Sequence, residues 1–221
     1  MLRFPTSRRT ATRRRTALTV SAVALLGATP LLTACGSDAH PGAAAVVDGD
    51  RITVSQLQSR IADVRDAQRD SPQSDQLIRA SGKLGHEVLL RMIMTKVVER
   101  AAADQGISVT RRDVQQETKL ARSQTGGAAG LRSAFLREGI APGQIEDTLR
   151  VDLLRLRLIE QLGQDRTLDA LRATAADLDI DVNPRYGTWD SQQGMAALKE
   201  PWIKESAEDA EGATQQGNRP A

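Results

Sequence analysis

A core has to be assembled in this chain almost without aromatic side chains. Two phenylalanines, two tryptophans and one tyrosine stand among 221 residues. Phe4 belongs to a basic leading stretch, which leaves Phe135, Tyr186, Trp189 and Trp202 for everything that follows. The interior must therefore be leucine, isoleucine, valine, methionine and alanine. A β-sandwich normally draws on more aromatic and β-branched residues. Leucine, methionine and alanine are also good helix formers. The expected fold is mostly α, with packed helices and a small β-sheet formed by an N-terminal hairpin and a late strand.

The first 35 residues read as a targeting segment. Arg3, Arg8, Arg9, Arg13, Arg14 and Arg15 precede an apolar run of 16 residues, 17–32. That run is short of the ~20 residues a membrane-spanning helix needs, and Gly27 and Pro30 interrupt it. A basic flank, a short apolar segment and a small-residue cut site make a secretory signal. Leu32-Thr33-Ala34-Cys35 resembles the bacterial lipobox. The resemblance implies cleavage between Ala34 and Cys35 and lipidation of the Cys35 thiol, which becomes the first mature residue. Cys35 is the sole cysteine, so no intrachain disulfide is available, and lipidation accounts for an odd thiol in an exported chain. Two or three acyl chains hold a protein stably on a membrane, whereas one is marginal. The paired arginines leave both twin-arginine and general export open.

The signal also explains the charge. The whole chain has 30 basic and 28 acidic residues. Six arginines and no acids precede the cut, so the mature chain has 24 basic against 28 acidic residues, net −4. The pI near 9.0 thus belongs to the leader and lends no support to nucleic-acid binding.

Four segments follow: a signal peptide over 1–34, a tether over 35–43, a helical domain over 44–190 and a disordered tail over 191–221. Two short β-prone runs flank Asp48-Gly49, a dipeptide suited to a tight hairpin turn. Thr53-Val54-Ser55-Gln56 has the form of a capping box and opens a helix to about Arg69. Residues 74–81 are a short helix or a loop. A strong helix over 86–105 carries Val88, Leu89, Met92, Ile93, Val97 and Ala101 on one broad face, with Gly106 as its stop. Thr110-Arg111-Arg112-Asp113 caps a weaker helix to about Gln124. The Gly126-Gly127 turn leads to a short helix over 131–138. Pro142 fits the first turn of the next helix, which runs to Leu162. Its stripe of Ile145, Leu149, Leu153, Leu156 and Ile159, widened by Val151, Leu154 and Leu158, marks it as the expected central helix. A last helix over 167–177 turns Leu168, Leu171 and Ala175 inward. Ile180-Asp181-Val182 alternates as a strand, with Pro184 confining it to an edge or an end. In the tail, Pro201-Trp202-Ile203 is the only apolar island.

Catalytic chemistry finds no foothold. His40 and His86 are far apart and lack a cysteine or carboxylate cluster, so no metal or other cofactor is expected. Glu146-Asp147 and Glu208-Asp209 are adjacent, and helical neighbours do not face each other. Gly126-Gly127-Ala128-Ala129-Gly130 lacks the strand before it and the Lys-Ser/Thr after it that a phosphate loop needs. No Gly-x-Ser-x-Gly elbow occurs. Met92 and Met94 are adaptable apolar side chains, with core packing the expected role of Met92.

The run Ala45-Val46-Val47-Asp48-Gly49-Asp50-Arg51-Ile52-Thr53, followed by a helix bearing Leu57, resembles the start of SurA-type N-terminal domains of extracytoplasmic chaperones and foldase lipoproteins. The helix order to Leu162 is similar too, and Val182-Asn183-Pro184-Arg185-Tyr186-Gly187 looks like the end of lipoprotein relatives. Many relatives insert a parvulin-type prolyl isomerase between the helical segments. The gap between Leu162 and Asp179 is too short for one, so the chain is not expected to be an enzyme. The resemblance implies a membrane-anchored lipoprotein on the extracytoplasmic face, acting as a non-enzymatic chaperone. Its partners would be unfolded exported proteins, bound in an apolar groove between helices. The alternative is an adaptor lipoprotein that binds one folded partner through a flat, charged interface.

Overall fold

The computed structural model describes residues 42–196. Cys35, the cut after Ala34, His40, Glu208-Asp209 and Pro201-Trp202-Ile203 lie outside the described residues.

The chain opens with a hairpin, β1 (Ala43–Val47) and β2 (Asp50–Thr53). Asp48 and Gly49 both have positive φ, 52° and 78°, as a two-residue turn of matching twist requires. Every residue of β1 is buried, so this strand sits inside the domain. The register is Val47↔Asp50, Val46↔Arg51 and Ala45↔Ile52. Ile52 alone of β2 is buried.

Helix α1 (Val54–Arg69) starts directly from β2. The Thr53 hydroxyl accepts from the Gln56 N–H at 3.1 Å, and the Thr53 N–H donates to Gln56 Oε1 at 2.8 Å. Both halves of the capping box are therefore made. Leu57 and Val64 are fully buried. Gln68 is buried as well, and its amide donates to the Ser81 hydroxyl at 3.1 Å. Arg65 donates to the Ser81 hydroxyl and carbonyl at 2.8 and 2.9 Å. This network pins the short α2 (Ser74–Ala80) back onto α1.

Helix α3 (Leu84–Asp104) is the centre of the molecule. It packs against α1, β1, α6 and α7. Leu84, Val88, Leu89, Ile93, Val97, Val98, Ala101 and Ala102 are all buried, and they surround the helix rather than forming one stripe. Small residues at its end let neighbours approach from several sides. Each fully buried leucine or isoleucine contributes about 1.5–3 kcal/mol. Gly106, at φ 67°, ends the helix.

Helix α4 (Arg111–Gln124) carries a second capping box. Asp113 N–H donates to the Thr110 hydroxyl at 3.2 Å, and Thr110 N–H donates to Asp113 Oδ2 at 2.8 Å. Helix α5 (Ala128–Arg137) begins three residues before its expected start. A 3-10 turn, Pro142–Gln144, feeds α6 (Ile145–Leu162). Leu131, Ile140, Ile145 and Leu149 form a satellite core with Ala121 and Phe135.

The buried side of α6 differs from expectation. Val151, Leu154 and Leu158 join the main core, whereas Leu156 is 51% exposed. The stripe drawn through Leu153, Leu156 and Ile159 is therefore not the core face, and α3 replaces α6 as the central helix. The cause is packing direction: α6 divides its apolar residues between the satellite core at its start and α3 and α7 further on. Gly163 separates α6 from α7 (Gln164–Asp177). On α7, Leu171 and Ala175 are buried as expected, but Leu168 is 46% exposed.

Strand β3 (Ile180–Val182) pairs antiparallel with β1, giving the sheet order β2-β1-β3. The late strand thus meets the N-terminal hairpin, as read from its alternation. The strand ends before Pro184, where the Asn183 amide donates to the Ala43 carbonyl at 3.1 Å. The chain then forms a second hairpin, β4 (Thr188–Asp190) and β5 (Gly194–Ala196). This second hairpin carries strand structure past Asp190, to Ala196. A Cβ at Gly187 would stand 2.4 Å from the Ala196 carbonyl oxygen, so the hairpin closes only over glycine. Met195 is buried, with Tyr186 and Trp189 packed against the same core.

Candidate functional site

Ion pairs tie the hairpin to α3, and α6 to α3 and α4. Asp48 meets Arg100 at 3.3 Å and Asp50 meets Lys96 at 2.9 Å. Arg150 pairs with Glu99, and Arg157 donates to the Ser108 carbonyl and to Asp113. These links hold α6 beside the end of α3 and the start of α4. These exposed pairs orient elements more than they stabilise them, at about 0–1 kcal/mol each.

Between β2, α1, α3 and α6 lies an open groove of about 920 Å³. Helix α3 contributes Val88, Leu90, Met92 and Met94, all but Val88 half-buried. Ile52, Ile140 and Val151 add further apolar surface. On α6 and the turn before it, Gln144, Asp147, Thr148, Val151, Asp152 and Arg155 recur at helical spacing, and Arg150 joins them. From Glu87 to Glu99 the groove follows α3 for about 18 Å, at about 1.5 Å per residue. An extended chain of five or six residues, at about 3.3 Å each, spans that length.

Arg91 lines the groove near the end of α5. Its guanidinium donates to the Gly139 and Glu138 carbonyls at 3.1 and 2.8 Å. These are the free carbonyls at the end of α5, where a cation is favoured. Burial lowers the Arg91 pKa from its usual value, against the pull of Glu87, Glu138 and Asp152. The same crowding acts on Asp152. Desolvation, reinforced by Glu138 and Glu117, raises its carboxyl above the ordinary range, while Arg155 and Arg91 oppose the shift. Gln144 is buried and donates to the Arg60 carbonyl at 3.4 Å, joining the turn before α6 to α1. Away from the groove, the Thr110 donors and Arg157 lower the Asp113 pKa.

Met92 and Met94 meet in this groove, each packed on the main core and each lining the opening. Of the adjacent acids, Asp147 lines it and Glu146 does not. His86 is half-buried near the start of α3, with no hydrogen-bond partner for Nδ1 among the described residues. Among the described residues no group of three or more His, Cys, Asp or Glu side chains stands together to hold a metal. The wall residues Arg51, Arg60, Arg91, Glu138, Gln144 and Asp152 were not singled out from the sequence. Their signal was available on α6, where polar residues recur at helical spacing beside the apolar face.

The groove is apolar along α3 and charged at its rim. A segment entering it desolvates apolar side chains while its polar groups face charged residues that stay wet.

Chaperone SurA from Albidiferax ferrireducens is 31% identical over 140 residues, 62% of this chain and 28% of that protein. The match therefore covers little more than a quarter of the length of that relative. No solved structure matches the chain. The family described as the SurA-like N-terminal domain matches residues 10–159. Its span takes in the hairpin, α1 and α3 beside the groove and most of α6, and the chain belongs to that family.

Proposed function

We propose that this protein is a membrane-anchored lipoprotein on the extracytoplasmic face, and that it acts as a chaperone binding unfolded exported proteins. The carrying observation is the open groove beside α3, with Leu90, Met92 and Met94 half-buried within it. Half-buried methionines repack around varied side chains, which suits a binder with little sequence preference. A walled, polar-rimmed groove favours this reading over an adaptor with a flat charged interface. Membership of a family whose relative is named a chaperone supports it as well.

The test is aggregation. The mature chain carrying Cys35→Ser, free of its lipid, is expected to suppress light scattering by a thermally unfolded test enzyme at near-stoichiometric amounts. Absence of suppression, together with one folded partner captured tightly, assigns the adaptor role instead.

The anchor has its own test. Six residues separate Cys35 from Gly42, a covalent reach of at most about 25 Å, so acyl chains on Cys35 would keep the groove close to the bilayer. Cys35→Ser in the full precursor is expected to abolish acyl labelling and move the protein from the membrane to the soluble fraction. A variant that still incorporates labelled fatty acid overturns the lipid anchor.

A further inference from the structure

Strand β2 has one free edge, and its register decides what that edge offers. In a hairpin with a two-residue turn, the residues flanking the turn exchange both hydrogen bonds and the next pair exchanges none. Val47/Asp50 and Ala45/Ile52 are therefore the bonded pairs, and Val46/Arg51 is the unbonded one. The other side of β1 agrees. Asp48 N–H donates to the Asp179 carbonyl at 3.1 Å, and Asn183 N–H donates to the Ala44 carbonyl at 3.0 Å. Even-numbered residues of β1 thus serve β3, and odd-numbered ones serve β2.

The N–H and C=O of Arg51 consequently point away from β1. The sheet ends at β2 among the described residues. The neighbouring Thr53 N–H is taken by Gln56 Oε1 at 2.8 Å, so Arg51 holds the one open donor–acceptor pair on this edge. Arg51 and Ile52 both line the groove. An unpaired edge normally carries a guard against pairing. Here the guard is a charged, exposed side chain rather than a covering element.

Charge along the groove is uneven. Arg51 and Arg60 form the β2–α1 wall, and among the described residues no carboxylate stands within ion-pair distance of either. At the α5 end, Glu87, Glu138 and Asp152 gather around Arg91, whose guanidinium is committed to backbone carbonyls.

We propose that the β2 edge is a docking strand: an extended segment of a non-native polypeptide adds to the sheet by exchanging two hydrogen bonds with Arg51. This deepens, and rests on, the chaperone reading. Main-chain pairing supplies affinity without regard to sequence. The side chains of the segment fall along α3, with an acidic residue opposite Arg51 and a basic one toward Glu138 and Asp152. Strand addition at this edge requires an extended chain with free amides, so folded or helical segments are refused.

The probe is a labelled nine-residue peptide, Glu-Glu-Thr-Val-Thr-Val-Thr-Lys-Lys, and an analogue N-methylated at alternate central amides. Binding to the full mature chain carrying Cys35→Ser is read by fluorescence anisotropy. The analogue keeps its carbonyls and loses only the donor to the Arg51 carbonyl, so it is expected to bind about fivefold more weakly, as loss of one net hydrogen bond implies. Arg51→Pro removes only an outward N–H, which an edge strand tolerates. It is expected to bind the parent peptide several-fold more weakly than Arg51→Ala, which keeps the amide. Equal binding of the two peptides overturns the proposal, and that comparison holds even if Arg51→Pro fails to fold. Tighter peptide binding in Trp202→Ala gives the edge to the chain's own tail, and a dimer lost in Arg51→Pro gives it to a second copy. Either result also overturns the proposal. If aggregation is suppressed while both peptides bind alike, strand addition fails and the chaperone reading stands. If nothing is suppressed, the chaperone reading itself fails.

Discussion

Ile93→Ala is expected to destabilise the domain by about 3–4 kcal/mol, within the range for truncating a fully buried isoleucine and leaving a cavity. Ile93 is 0% exposed and lies midway along α3, with elements packed on several sides of the helix. A cavity there cannot collapse from one direction without opening another contact. At about 2–4 °C per kcal/mol for a domain of this size, the midpoint of thermal unfolding falls by roughly 10 °C. Leu156→Ala on α6 is the matched control. Its side chain is 51% exposed, and a surface change of that kind stays within about 0.5 kcal/mol. Chemical denaturation of the two variants compares α3 with α6 as the centre of the core. Equal losses would place Leu156 in the core and contradict the packing described.

That comparison also marks how far the sequence could be read. Local signals were sufficient where a few adjacent residues complete an interaction among themselves. Thr53 with Gln56 and Thr110 with Asp113 make their capping boxes within one turn, and Asp48-Gly49 sets the hairpin twist by its own dihedrals. The alternation of Ile180 and Val182 correctly brought β3 to the N-terminal hairpin, because an isolated hairpin has to be covered. Choosing the central helix required more than a count of apolar residues. The α6 helix has many leucines, but it sends Ile145 and Leu149 to one core and Val151, Leu154 and Leu158 to another. Valine and alanine at the end of α3 gave a weaker hydrophobic signal, yet their small size allows close approach from several sides.

The groove was legible only in outline. Met92 and Met94 indicated adaptable apolar surface, and an opening between helices was expected. Its walls, however, come from Arg51, Arg60, Gln144 and Asp152, which are distant in sequence and meet only once the chain has folded. Its charged rim is likewise a product of packing: Glu138 ends α5, and Arg91 reaches it across 47 residues of chain. The β4–β5 hairpin was missed for a different reason. Its closure depends on Gly187, whose lack of a side chain admits the Ala196 carbonyl, a long-range fit that no local pattern carries.

The double substitution Met92→Lys, Met94→Lys is expected to remove most client binding while leaving the fold in place. Both side chains are half-buried, pack on the core and line the groove. Lysine is nearly as good a helix former as methionine, and its stem can lie on the same apolar surface with the ammonium in water. The unbound domain therefore loses little. The bound state loses two apolar contacts and must also desolvate or displace two charges. At about 1.5 kcal/mol for each buried methionine, the contacts alone account for roughly a hundredfold weaker binding. In the aggregation assay the double variant should leave light scattering close to that of the client alone. Its far-ultraviolet circular dichroism should match the parent, and its unfolding midpoint should stay well above that of Ile93→Ala. Suppression undiminished in the folded double variant would mean that clients bind elsewhere on the surface. Loss of suppression with the fold retained would separate the groove from the core that α3 also builds.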